Sequence, residues 1–155
     1  MAKDFRELLV EASRHDVFGR FFKELQIGFK AVLSFQASKV HSCEPAETLD
    51  DVYQYTQWEV QLRQIDKPVD IPGIGLWDQF KQNEWAKKFD RPEFQRAMVG
   101  EFVTTEEAQQ ILEDVIDYAI KSNHIESEDE IIVLEADIEL KKLRACTGCS
   151  GSAAK

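Results

Sequence analysis

Hydrophobic and polar positions along the chain follow two different periods. Residues 4–14 set Phe5, Leu8, Leu9 and Ala12 at helical spacing, which predicts a first helix. Asp16 is placed to cap a second, in which Phe18, Phe21, Phe22 and Leu25 recur at i, i+3, i+4 and i+7 until Gly28 ends it. The period then drops to two. Phe29, Ala31, Leu33, Phe35 and Ala37 alternate with Lys30, Val32, Ser34, Gln36 and Ser38, and Trp58, Val60 and Leu62 alternate with Gln57, Glu59, Gln61 and Arg63. Polar residues at every second position predict antiparallel strands with one face in water, and argue against a doubly wound parallel sheet. Between these strands, His41 to Tyr55 reads as a long connection with one helical turn.

Asp66 to Gly75 holds two prolines and two glycines and reads as a loop. After it, Trp77, Phe80, Trp85 and Phe89 suggest an aromatic-rich helix. Pro92 suits the first turn of another short helix through Met98, and Val99 to Val103 suggest a short strand. Thr104-Thr105-Glu106-Glu107 has the form of a capping box, followed by an apolar stripe of Ala108, Ile111, Leu112, Val115 and Ala119, with Glu113, Asp114 and Asp117 toward water and Asn123 as the stop. Ile132, Leu134, Ala136, Ile138 and Leu140 alternate with polar positions. Ser127 and Glu130 would cap a helix there, but Leu134 and Ile138 would fall off its apolar face, so a strand is expected. The expected fold is a single α+β domain over residues 1–149. A small antiparallel sheet from 29–38, 55–65 and 131–141 is packed on one face by helices, and residues 150–155 form a flexible C-terminal tail.

A chain of 155 residues, 43% hydrophobic and 31% charged, suits one globular domain. No apolar run is long enough to span a bilayer, and Met1 to Glu7 turns charged at once without a signal-peptide core, so a soluble cytoplasmic protein is expected. Charge narrows the partners. Of the net charge of −10, residues 99–155 carry −8, with 13 acidic and 5 basic residues. Such a field repels phosphate backbones and anionic membranes, which excludes direct nucleic-acid binding and membrane association. It suits a basic protein partner, with Glu128, Asp129 and Glu130 at the centre of the acidic third.

Candidate chemistry is sparse. No HExxH, GxSxG, di-iron ExxH or phosphate-binding glycine loop is present. Three cysteines exclude a fully paired disulfide framework. His41 and Cys43, with the Cys146-Thr147-Gly148-Cys149 knuckle, supply one imidazole and three thiolates, the ligand count of a tetrahedral zinc ion. A redox role for the same CxxC is weaker, because no helix follows it to lower a thiol pKa. Trp77 and Trp85, eight residues apart after the Pro/Gly-rich loop, are candidate partner anchors, since tryptophan concentrates at interface hot spots. The sequence therefore points to a small acidic non-enzymatic protein that binds another protein in an accessory, regulatory or inhibitory role. The alternative is a zinc-binding or redox-responsive protein using His41, Cys43, Cys146 and Cys149.

Overall fold

The computed structural model describes residues 2–93 and 96–135. Its frame is a six-stranded antiparallel sheet. The two alternating runs become β4 (Ala31–Gln36) and β5 (Gln57–Gln64), paired in register from Ala31 opposite Gln64 to Gln36 opposite Glu59. β3 (Leu25–Ile27) joins β4 on one side and β7 (Ala97–Thr104) joins β5 on the other; β6 (Phe89–Asp90) and β8 (Ile132–Val133) are the short edges. The spatial order is β6-β7-β5-β4-β3-β8. A separate two-stranded hairpin, β1 (Glu11–His15) with β2 (Gly19–Phe22), lies over part of the sheet's outer face.

The fold class is α+β, with one long helix, α1 (Thr105–Lys121), packed on the inner face. Thr104 Oγ1 accepts the Glu107 N–H and the Glu107 carboxylate accepts the Thr104 N–H, the full capping box. Ala108, Ile111, Leu112, Val115 and Ala119 are buried, and Asn123, at φ 61, turns the chain out of the helix. Against this face stand Leu33, Phe35, Trp58, Val60 and Leu62, all fully buried. The 41–55 connection holds the expected turn, a 3-10 segment at Val52–Gln54. Residues 66–75 form the expected loop.

Four expected helices are absent. Residues 4–14 form a 3-10 turn, Phe5–Leu8, capped by Asp4, and then β1. Phe5 is fully buried between Phe35 and Trp58, so the apolar spacing served one ring in the core rather than a helical stripe. Residues 18–25 form a hairpin turn, β2 and the start of β3. Aromatic residues favour strands, and Gly19 at φ +76 packs so closely that a side-chain carbon there would meet Val40 and Ser38. The 77–89 aromatics sit on two 3-10 turns, Leu76–Gln79 and Glu84–Lys88, whose rings stack on one another instead of lining a helix. The helix expected from Pro92 does not run through Met98, because Ala97 already begins β7. β7 extends past the expected 99–103. It carries a bulge in which Glu101 and Phe102 together face Glu59, with Phe102 in the left-handed region at φ 53.

The expected wet face of β4 is also corrected: all six of its residues are buried, because the β1–β2 hairpin covers the outer face. A side chain attaches that cover. Gln36 accepts the Phe22 N–H and donates to the Phe22 carbonyl, both at 2.8 Å, so its amide acts as a neighbouring strand would. Arg20 adds a second tie. Its buried guanidinium donates to the carbonyls of Leu49 and Ala37 and to the Tyr55 hydroxyl, and lies 4.4 Å from the Phe22 ring. Of the expected 131–141 strand, Ile132 and Val133 pair with β3; residues 136–141 lie outside the described residues, as does the 150–155 tail. Among the described residues no helix is long and apolar enough to cross a membrane.

Candidate acidic binding groove

Where α1 ends, the chain doubles back along it. Ser122 N–H bonds to Tyr118 O and His124 N–H to Ala119 O, which closes the helix and drops Ile125 into the core. Ser127 then caps a 3-10 turn, Glu128–Glu130, by accepting the Asp129 N–H. Two further bonds set this turn. Glu130 accepts the Glu126 N–H at 2.6 Å, and Glu128 accepts the Lys3 N–H at 2.9 Å, which brings the N-terminal segment alongside.

The result is an open groove of about 610 Å³ between the outer side of α1 and the 126–129 segment. Glu113, Asp114, Asp117, Glu126, Glu128 and Asp129 line it with Ile116 and Ile120, and among the described residues no Lys, Arg or His does. The carboxylates are not equivalent. Asp114 is held by Trp85 Nε1 at 2.8 Å and by Asn83 and Gln110, so it is a fixed part of the wall. Asp117 pairs with Lys121 at 2.8 Å on an exposed helix face, where solvent screens most of the attraction. Glu113 accepts from Gln109, whose amide oxygen in turn takes the Phe5 N–H.

The sequence-expected partner residues divide between this groove and its support. Glu128 and Asp129 line it, and Glu130 is exposed in the same turn and braces it from within. Trp85 is buried, with its indole N–H committed to Asp114, so it reaches the groove only as the prop beneath one carboxylate. Trp77 is half-buried against Trp85 and Phe89. Glu113 and Asp117, read from the sequence as a solvated helix face, belong to the same lining. Their juxtaposition with Glu128 depends on the chain reversal at Asn123, and spacing alone does not reveal it.

The metal candidates lie elsewhere. His41 and Cys43 stand on either side of the 38–45 loop. Ser38 Oγ is 2.7 Å from His41 Nδ1, and the Cys43 thiol donates toward the carbonyls of Ser38 and Pro45 at 3.2 and 3.3 Å. Burial, with the nearby Arg20 charge, lowers the His41 pKa to about 4, and burial also pushes the Cys43 thiol up. To bind zinc, Cys43 would have to leave both carbonyls and shed a proton that its surroundings hold. Cys146 and Cys149 lie outside the described residues. Among the described residues no group of three or more His, Cys, Asp or Glu is arranged to hold a metal. The chain matches no known protein family model, no curated protein and no solved structure, so a functional reading rests on the chemistry of its own surfaces.

Proposed function

We propose that the protein is a non-enzymatic binder of another protein, and that the acidic groove receives a basic segment of that partner. One observation carries the reading: six acidic residues from two separated stretches of chain converge on one concave surface that no cationic side chain lines among the described residues, over exposed hydrocarbon from Ile120. Only Asp117 among these carboxylates has a cationic partner, Lys121, among the described residues; the others repel one another, and a lysine- or arginine-bearing partner converts that repulsion into attraction. The hydrocarbon then gives such a segment an apolar strip to bury. An accessory, regulatory or inhibitory role follows naturally from a surface that captures and does not react.

The test is a comparison of wild-type protein with the Glu128→Lys, Asp129→Lys double variant, both used to capture proteins from the native host. The reading expects a basic protein retained by the wild type alone, with an association rate that falls as salt rises because exposed charges are screened over about 8–10 Å at physiological ionic strength. Retention of the same protein by the charge-reversed variant, with a salt-independent rate, would reduce these residues to a solubilising surface.

A further inference from the structure

A second concavity lies on the opposite side of the main sheet, beneath the β1–β2 hairpin, and encloses about 340 Å³. Strand register builds its floor. Ser34 stands opposite Gln61 and Gln36 opposite Glu59, so four polar side chains form a block two by two on adjacent strands. The other face of the same strands carries Leu33, Phe35, Val60 and Leu62, all fully buried. Covering polar side chains with Phe21 and Phe22 costs free energy unless each polar group finds a partner.

Some of those groups are already satisfied. Gln36 is committed to Phe22 and Ser34, and Glu24, on the wall, is held through both oxygens by Arg63 at 2.9 and 3.0 Å. Others are not. Gln61 makes no side-chain hydrogen bond among the described residues, and Glu59 uses one oxygen for the Ser42 N–H and leaves the other open. Lys23, on the opposite wall element, has one ion pair among the described residues, a 3.7 Å contact to the exposed Glu135. His41 turns Nδ1 to Ser38, which leaves its Nε2 edge for the cleft it lines.

The available groups are therefore one carboxylate oxygen, one amide, one imidazole nitrogen and the ammonium of Lys23, held only by its 3.7 Å contact to exposed Glu135, beside two aromatic rings. We infer that this cleft binds a small zwitterion of the α-amino-acid class. The ligand's ammonium meets the free oxygen of Glu59, its carboxylate meets Lys23, Gln61 and His41 Nε2 complete the hydrogen bonds, and its carbon side chain lies against Phe21 and Phe22. An inorganic ion of either sign would meet only one of the two charged groups, whereas a zwitterion meets both. The cleft volume falls in the range of about 300–1,000 Å³ typical of small-ligand sites. Because His41 stays neutral at physiological pH, it adds no competing positive charge to the carboxylate's end.

The experiment titrates the full chain with the common free L-amino acids, each beside its N-acetyl and methyl-ester forms, by calorimetry and by amide NMR shifts. At least one free amino acid should bind and shift the Ser34, Gln36, Glu59 and Gln61 amides, with each blocked form at least tenfold weaker. Glu59→Gln, which keeps the acceptor for Ser42, and Lys23→Met should each weaken binding tenfold or more. The Glu128→Lys, Asp129→Lys variant should bind normally, since it alters only the other face. No heat and no shift with any amino acid at about 10 mM, far above the millimolar affinities such contacts supply, would overturn the inference. So would blocked forms that bind as tightly as free ones, or shifts confined to residues outside the cleft.

Discussion

Acidification should weaken the fold through His41 before it protonates the carboxylates. The imidazole is buried beside Ser38, stacks edge-on to Phe21 at 4.8 Å and faces the charge of Arg20, so its pKa falls from 6.5 to about 4. A base whose folded pKa is depressed is neutral in the fold and takes up its proton more readily when unfolded. Between the two values the unfolded chain binds more protons, so stability rises with pH across that window. The contribution is fully present above 6.5, is lost as pH falls toward 4, and is gone below both values. At about 1.4 kcal/mol per pKa unit the whole effect is about 3 kcal/mol, of which about 2 kcal/mol has gone by about pH 5. Urea unfolding of wild type and His41→Gln across that range reads it as a difference, which cancels other titrating groups. The gap between the two proteins should narrow by about 2 kcal/mol from about pH 7.5 to 5, and an imidazole NMR titration should place the midpoint near 4. A constant gap together with a midpoint near 6.5 would refute the argument that this histidine is held neutral by burial.

Three further outcomes follow from other contacts. Thr104→Ala removes the capping hydroxyl of α1 and should cost about 1 kcal/mol in chemical denaturation, with Thr104→Ser restoring most of it. Gln36→Leu strips both partners from the Phe22 backbone and should cost about 3 kcal/mol, with amide exchange rising first in 11–22; uniform exchange would show that the hairpin is held otherwise. In a Cys146→Ser, Cys149→Ser background, Cys43 should resist a thiol reagent until denaturant unfolds the chain, because burial covers it and holds its proton. Rapid reaction of the folded protein would contradict that placement.

Parts of the architecture were legible from local pattern because local physics decides them. A capping box and a 3.6-residue stripe place α1 without reference to the rest of the molecule, and strict alternation does the same for β4 and β5. The N-terminal reading failed because a short aromatic run satisfies both periods: Phe21 and Phe22 fit a helix face as well as adjacent strand positions, and pairing with Glu11–His15 settles it. β7 was read only over 99–103, bulge included, because Pro92 drew Ala97 and Met98 into an expected helix. The acidic groove was half visible. Glu128, Asp129 and Glu130 stand out as a charge run, whereas Glu113 and Asp117 join them only through the fold. The polar cleft was not visible at all, because its floor is a matter of register and its roof lies in a segment read as helix.

The termini of the described chain meet across almost its whole length, and this orders events during synthesis. Phe5 N–H waits for Gln109, Lys3 N–H for Glu128, and the outer edge of β3 for Val133 opposite Leu25. Bonds between such distant residues form only after the loop between them closes, and topologies rich in them fold slowly. On a ribosome that releases the chain from its N-terminus, Phe5 and the edge of β3 emerge early, but the Phe5 N–H has no acceptor until α1 has cleared the tunnel and the β3 edge no partner until the 126–133 segment has. For that interval the nascent chain shows an unpaired strand edge, a feature that recruits chaperones or prompts aggregation. Folding yield should therefore depend on the last described residues far more than their small buried area suggests.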